Sequence, residues 1–295
     1  MLNNSPTVRN SSKSLRCALF ACLALLAIAI SNVGVLAQPY SPSPIRDIGI
    51  RFAKVQIGDR NIGYAYSGNP DKPGVLFIHG TPGGWGAFER YLESKRLKQD
   101  FFMVSVDRLG WGASPLPLNE VNGDFDLQAD SINAILKTYP DKKWILLGHS
   151  LGASIAPKVA LKNPEAVSDL FLLAGSLKPS LGSPRWYNRA ASTWVVANLI
   201  GDNMRRSNRE IMGLRKQLRS MDEQIKQSQL PSKLTLMQGR KDKLVSPKNP
   251  AYVEQAWINN FASIEIIDLE EEGHFLPWRK TPLIVDTLYR LLGNN

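Results

Sequence analysis

The sequence predicts an α/β fold built on a largely parallel β-sheet, because short apolar runs alternate with helical patterns over most of the chain. Each later run ends in a glycine or a polar loop. This alternation is typical of βαβ units, in which a helix connects two parallel strands. The length of 295 residues limits the number of domains, since it suffices for one large domain or for one domain with an insertion.

Eight strands are predicted, of which the first two form an antiparallel hairpin. In chain order the strand sequences are IGIRFAKVQI, IGYAYSG, GVLFIHG, FFMVSVDR, KWILLGHS, DLFLLAG, KLTLMQGR and SIEIIDL. Apolar residues at helical spacing predict helices at residues 87–98, 127–139, 151–162, 251–260 and 282–292. We expect helices on both faces of the sheet.

The alternation stops between the sixth and seventh strands, at residues 176–230. This segment holds ten basic and four acidic residues in a chain whose net charge is +10. Its apolar residues recur at spacings of three and four, which places them on one helix face: Ile211, Leu214, Leu218, Met221 and Ile225. We interpret the segment as a helical cap over the carboxyl ends of the strands, where open α/β sheets bind ligands. The alternative is a helical excursion packed on the edge of the sheet.

The predicted division is therefore a core in two parts, residues 38–175 and 231–295, separated by the cap. The basic residues of the cap favour attraction of anionic substrates or peripheral contact with an anionic membrane. The alternative is a solvated basic helix face. No nucleic-acid-binding motif accompanies these charges, so a nucleic-acid partner is not expected.

Residues 1–37 are typical of a secretory signal peptide. Basic residues without acids come first, residues 17–30 are continuously apolar, and small residues precede Ala37. We predict cleavage near Ala37 and export to the periplasm or the exterior. The alternative is an uncleaved N-terminal membrane anchor.

Both cysteines, Cys17 and Cys22, lie inside this segment. A cleaved chain would therefore contain no cysteine, which excludes disulfides and thiolate metal sites. No metal site and no cofactor are predicted.

Ser150 is the candidate nucleophile. It lies in GHSLGA, a G-x-S-x-G pattern that directly follows an apolar strand and directly precedes a helix. A serine at such a sharp turn projects its hydroxyl toward the ligand side, and the flanking Gly148 and Gly152 prevent clashes. The alternative is a small residue that lets strand and helix pack closely.

A serine hydroxyl needs a base, and the chain has three histidines. His79 belongs to the loop after the third strand, and His149 occupies the variable position of the turn, where we expect it to point away from the chemistry. His274, after the last strand, remains as the base, with a surface loop histidine as the alternative. Asp242, after the preceding strand, comes in the order Ser, Asp, His and would orient the base; the alternative is a solvated turn residue.

Two backbone N–H groups are predicted to bind an oxyanion. Leu151 begins the helix after Ser150, whose positive end favours negative charge. Thr81, in HGTPGG after the third strand, would supply the second donor; the alternative is an ordinary turn. In DRLGWGAS, after the fourth strand, we interpret Asp107 and Arg108 as partners of each other or of the backbone.

Aromatic residues near these loops are candidates for a substrate pocket. They include Trp85 and Phe275, and His149 is added by its position beside Ser150. Buried aromatic side chains are usually core, so packing is the alternative.

HGTPGG, DRLGWGAS, GHSLGA, GRKD and GH occur in an order that closely resembles the α/β-hydrolase superfamily, specifically its capped single-domain serine esterase-like members. The resemblance covers about residues 48–292. It implies an eight-stranded sheet, a cap after strand six and cofactor-free acyl chemistry by Ser150, His274 and Asp242. Epoxide-hydrolase-like and dehalogenase-like members have Asp where this chain has Ser150, which disfavours those two reactions.

The expected function is an exported serine hydrolase that cleaves carboxylic esters, most simply a carboxylesterase acting on a small-molecule substrate. One alternative is an aminopeptidase or amidase, because proline iminopeptidase-like members share a similar HG-x-PGG loop, although their turn typically reads GGSWG rather than GHSLG. A second, of another class, is a hydrolase-like binding protein without turnover.

Overall fold

The computed structural model describes residues 49–120 and 123–293 and contains the predicted eight-stranded sheet. The strands are β1 (Arg51–Ile57), β2 (Arg60–Gly68), β3 (Gly74–Ile78), β4 (Phe102–Val106), β5 (Trp144–His149), β6 (Val167–Leu173), β7 (Leu230–Gly239) and β8 (Phe261–Leu269). Their order in the sheet is β1-β2-β4-β3-β5-β6-β7-β8. β1 and β2 form the expected antiparallel hairpin and β2 is antiparallel to β4, whereas the other neighbours are parallel.

Ten α-helices are found in the described part of the chain. They are α1 (Glu89–Glu93), α2 (Lys95–Asp100), α3 (Phe125–Lys137), α4 (Leu151–Lys162), α5 (Trp186–Ala191), α6 (Trp194–Leu199), α7 (Asp202–Lys226), α8 (Asn249–Ala256), α9 (Leu276–Arg279) and α10 (Thr281–Gly293). The helix predicted at residues 87–98 is instead two short helices. Ser94 divides them, because its hydroxyl accepts a hydrogen bond from the Leu97 N–H and so caps a new helix.

Two apolar clusters lie among the strands and helices because alternate residues of a strand point to opposite faces. Leu76 and Ile78 of β3 belong to the cluster that includes residues of α3, α4 and α7. Val75 and Phe77 belong to the cluster that includes residues of α1, α2 and α10. Helices therefore cover both faces, as the sequence predicts. For this reason β3, β4 and β5 are buried throughout, β6 is buried except at Ser168, and all four strands read as near-continuous apolar runs.

Helices α5, α6 and α7 lie between β6 and β7, where the alternation of the sequence stops. One side of α7 packs against the core: Leu214, Leu218, Met221 and Ile225 are at most 6% exposed and join the first cluster. This face therefore holds α7 against the core.

The chain divides into two units, Met1–Gln38 and Pro39–Asn295, and the described residues belong to the second. The predicted signal peptide lies outside the described residues. Within residues 49–120 and 123–293, no helix is both long enough and apolar enough to cross a membrane.

Candidate active site

Ser150 lies between β5 and α4 in a backbone conformation that is rare for a residue with a side chain. Its φ is 55° and its ψ is −120°. The turn is crowded: a Cβ on Gly148 would lie 2.6 Å from the Ala153 nitrogen, and a Cβ on Gly152 would overlap the carbonyl of Ile78. The two glycines of the motif are therefore required by close backbone approach, and the Ser150 N–H is held by the Leu173 carbonyl at 2.9 Å.

The loop after β3 lies directly against Ser150. A Cβ built on Gly80 would be 2.9 Å from the Ser150 Cβ and 3.4 Å from its hydroxyl oxygen. Thr81 directly follows Gly80 in the sequence, and Leu151 directly follows Ser150 as the first residue of α4. Each predicted oxyanion donor is therefore one residue from the close approach of Gly80 to Ser150. The Thr81 hydroxyl is buried and has no hydrogen-bond partner among the described residues.

His274 and Asp242 form a buried pair at the ends of β8 and β7. The His274 Nδ1 is 2.8 Å from the Asp242 Oδ2, and the Asp242 side chain is not exposed. The other carboxylate oxygen accepts the N–H groups of Leu244 and Val245 at 2.8 and 2.9 Å.

Burial by itself raises the pKa of Asp242, but the hydrogen bond and charge of His274 and the two backbone N–H groups together lower it below its ordinary value. Asp242 is therefore ionised at neutral pH and can only accept from Nδ1. The Nδ1 of His274 carries the proton, and Nε2 is left with the lone pair that a general base needs.

His149 supports the loop of His274, which differs from the expectation that it points away from the site. Its ring lies 4.9 Å from the His274 ring and 5.4 Å, edge on, from the Trp278 ring. Its Nε2 is 2.9 Å from the His274 carbonyl, which can only accept, so Nε2 donates. Burial, assisted by the charge of His274, lowers the pKa of His149 to about 3, which keeps this donor tautomer neutral. The residue before the nucleophile thus links the loop of Ser150 to the loop of His274.

Arg108 holds the loop after β3 from the other side. Its Nε donates to the His79 carbonyl and its Nη2 to the Gly80 carbonyl, both at 2.9 Å. Nη1 and Nη2 also bind the two carboxylate oxygens of Glu210 on α7, at 2.7 and 3.3 Å, and neither side chain of this pair is exposed. Trp111 adds an indole N–H to Glu210 at 3.3 Å. The buried pair therefore joins α7 to the loop that carries Thr81.

His79 is fixed as a neutral imidazole by the same arrangement. Its Nε2 accepts the Arg108 backbone N–H at 3.0 Å, so the proton resides on Nδ1, which donates to the Gly80 carbonyl at 2.8 Å. Burial, together with the charge of Arg108, lowers the pKa of His79 well below its ordinary value. His79 is therefore structural, and it does not compete with His274 as a base.

Asp107 and Arg108 both bind backbone groups, as the sequence predicts, but they are not each other's partner. Asp107 accepts the N–H groups of Trp85 and Ala113, each at 2.8 Å. The carboxylate that pairs with Arg108 is Glu210, which sequence reasoning missed. Its one signal is an acidic side chain within a predominantly basic helix.

The candidate pocket residues lie in two places. The Phe275 ring is 5.6 Å from the His274 ring and 6.1 Å from the Trp278 ring. Phe275 and His149 therefore both lie against the candidate base. Trp85 instead contacts Phe52 of β1, with ring centroids 5.1 Å apart. Across the described ranges, no three His, Cys, Asp or Glu side chains are grouped as ligands of a metal ion.

Replacing Asp242 by asparagine is expected to lower kcat by about 10⁴-fold. A neutral amide lets His274 Nδ1 act as an acceptor and so places the proton on Nε2, where it removes the base. The matched control is Asp268→Asn, which changes a half-exposed carboxylate paired with Arg240 at the end of the neighbouring strand. Steady-state kinetics at neutral pH test this, and an Asp242→Asn variant that retains a tenth of the activity would contradict the assigned role.

Comparisons with known proteins agree with this fold. A family model described as the alpha/beta hydrolase fold matches residues 73–196. The chain is similar to 1-acylglycerol-3-phosphate O-acyltransferase of Arabidopsis thaliana, with 33% identity over 132 residues that cover 43% of this chain and 31% of that protein. It is also similar to Epoxide hydrolase 4 of Homo sapiens, with 30% identity over 129 residues that cover 44% of this chain and 32% of that protein.

Among solved structures, wild-type Cfl2 from Burkholderia cenocepacia is similar over 86% of this chain and 99% of its own, with a TM-score of 0.69 and 16% identity. At that identity the likeness establishes the fold alone. The chain spans only about a third of the length of the two relatives above, at 31% and 32%.

Proposed function

We propose that this protein, which has the α/β-hydrolase fold, is a serine hydrolase that cleaves carboxylic esters through an acyl-enzyme on Ser150. The observation that carries the proposal is the buried His274–Asp242 pair at 2.8 Å, whose histidine is bound through its carbonyl by His149, the residue that precedes a serine held at φ 55°. A packing serine needs neither an oriented imidazole nor a strained backbone.

The reaction follows from the groups present. His274 Nε2 takes the proton of Ser150 as its hydroxyl oxygen attacks the ester carbonyl carbon, and the carbonyl oxygen becomes an oxyanion. The N–H groups of Thr81 and Leu151 stabilise that charge. His274 then protonates the leaving alcohol as the carbon–oxygen bond breaks. Water, deprotonated by the same base, cleaves the acyl-enzyme and restores Ser150.

Two reaction classes among the relatives bear on this choice. One similar protein is named an epoxide hydrolase, but epoxide-hydrolase-like members have Asp at the position of Ser150, which supports acyl chemistry here. Another is named an acyltransferase, and acyl transfer is compatible with an acyl-enzyme. The amidase alternative uses the same groups and differs only in the leaving group.

Helices α5 to α7 are proposed to act as the cap. The support is Glu210 of α7, which binds Arg108. Arg108 in turn donates to the Gly80 carbonyl in the loop that carries Thr81. Substrate selection is accordingly assigned to this insertion and to Phe275 beside the base.

Export remains a separate proposal that rests on residues 1–37. N-terminal sequencing of the protein recovered from the periplasm or medium of an expressing bacterium tests it. Cleavage after Ala37 supports the proposal, whereas a chain that keeps residues 17–30 in the membrane fraction supports the anchor.

The function is tested by a panel of p-nitrophenyl esters of increasing acyl length, run beside aminoacyl p-nitroanilides. We expect ester turnover and stoichiometric labelling of Ser150 by a fluorophosphonate. Faster turnover of the anilides would favour an amidase over an esterase. Folded protein that is neither labelled nor active would favour the binding protein.

A further inference from the structure

Helices α5 and α6 expose an unusual amount of apolar surface. Five large side chains on these two short helices are exposed: Trp186, Tyr187, Trp194, Val195 and Leu199, of which Trp194 is 80% and Leu199 77% exposed. We call these five residues the apolar face. In the rest of the described chain, the large apolar side chains with comparable exposure stand singly in sequence: Phe52, Met212, Leu244, Ile258 and Leu283. Clustered exposure of this kind marks an interaction surface.

The charged residues in the stretch of sequence that carries the apolar face have one sign. The sequence contains no acidic residue between Asp169 and Asp202, whereas Arg185 immediately precedes α5 and Arg189 lies on it, and both are exposed. A partner that covers this face must therefore present apolar groups and negative charge together.

The apolar face continues toward the candidate active site. Arg185 Nη2 donates to the carbonyls of Lys243 and Leu244, at 2.7 and 3.1 Å. Leu244 is itself half-exposed, and its N–H binds the Asp242 carboxylate at 2.8 Å. The surface thus adjoins the loop that carries the acid of the triad.

We propose that the apolar face docks the protein on an anionic lipid surface. Tryptophan and tyrosine occupy the boundary between headgroups and acyl chains because one part of each ring system is apolar and the other carries a hydrogen-bond donor. The arginines bind anionic headgroups. A second copy of this chain fits less well, since a two-fold contact sets Arg185 and Arg189 of one copy near the same cations of the other.

Co-sedimentation with lipid vesicles tests the proposal. The protein used is the unit Pro39–Asn295, which contains all eight strands and both apolar clusters, so that residues 1–37 cannot contribute membrane affinity. It is expected to sediment with vesicles of phosphatidylcholine and phosphatidylglycerol, and much less with phosphatidylcholine alone or at high salt. Trp194→Glu with Leu199→Glu is expected to lower the lipid affinity by about tenfold or more.

The matched control is Ile258→Glu with Leu283→Glu, which changes two exposed apolar side chains elsewhere and should bind as the parent does. Thermal unfolding followed by circular dichroism checks that both variants fold. Because docking does not need turnover, Ser150→Ala should also bind fully, which separates this proposal from the proposed function. Equal binding by the two glutamate variants would overturn the proposal. So would a concentration-dependent dimer that only Trp194→Glu with Leu199→Glu abolishes, because the face would then belong to a second copy.

Discussion

Replacing Ser150 by alanine is expected to lower kcat by on the order of 10⁵-fold and to abolish fluorophosphonate labelling, while leaving the fold intact. The reason is that the acyl-enzyme requires the hydroxyl oxygen, and no neighbouring group replaces it. The backbone at this position is held by the Leu173 carbonyl and by close contacts of Gly148 and Gly152, none of which uses the Ser150 side chain.

The control for this prediction is Ser180→Ala, which removes an exposed serine hydroxyl and should leave kcat and labelling unchanged. Kinetics with the best ester of the panel and mass spectrometry of the labelled peptide provide the measurements. If Ser150→Ala keeps more than about a hundredth of the parent rate, a nucleophile other than Ser150 must be sought.

Removing the Glu210 carboxylate is expected to destabilise the folded protein strongly. Glu210→Ala leaves the buried Arg108 guanidinium without its counter-charge, which should lower the free energy of unfolding by about 3–5 kcal/mol. The exposed pair Arg96–Asp286, at 3.4 Å, is the matched control, and Asp286→Ala should cost less than about 1 kcal/mol. Urea unfolding of the three proteins tests the difference.

The double variant Arg108→Met with Glu210→Leu separates stability from catalysis. With both charges gone, the free energy of unfolding should recover part of the loss, because no buried charge is left without a counter-charge. The bonds from Arg108 to the His79 and Gly80 carbonyls remain lost, however, so the loop of Thr81 is less well positioned. We expect kcat to fall by about 10²-fold with little change in KM, because oxyanion donors act chiefly in the transition state. Parent-like kcat in a stable double variant would show that Arg108 does not position the loop.

The sequence predicts most of the fold because its signals are local. Apolar runs predict the eight strands. Gly148 and Gly152, each two residues from Ser150, predict the sharp turn at that serine. Ser94 is also a local signal, because a serine is a typical helix N-cap and so indicates where α2 begins. His274 and Asp242 were accessible by their order along the chain and by the small number of histidines.

The contacts of Arg108 could not be predicted in this way. Arg108 and Glu210 are 102 residues apart, and α7 carries four acidic residues, so an acid in a basic helix does not by itself indicate which of them binds Arg108. The contact of His149 with His274 depends likewise on how two loops meet, which is set by the places of β5 and β8 in the sheet and not by either sequence alone. Local patterns thus predict the candidate reacting groups, whereas the residues that hold them in place become visible only in three dimensions.

The bond between Arg108 and Glu210 also limits how the insertion can be exchanged. A chimaera that receives α5 to α7 from another α/β-hydrolase-fold protein without an acid at the position of Glu210 would bury a lone guanidinium against the loop after β3. Such exchanges therefore need to transfer residue 210 together with residue 108. The helices between β6 and β7 and the loop after β4 therefore have to be exchanged together, although 102 residues of chain separate Arg108 from Glu210.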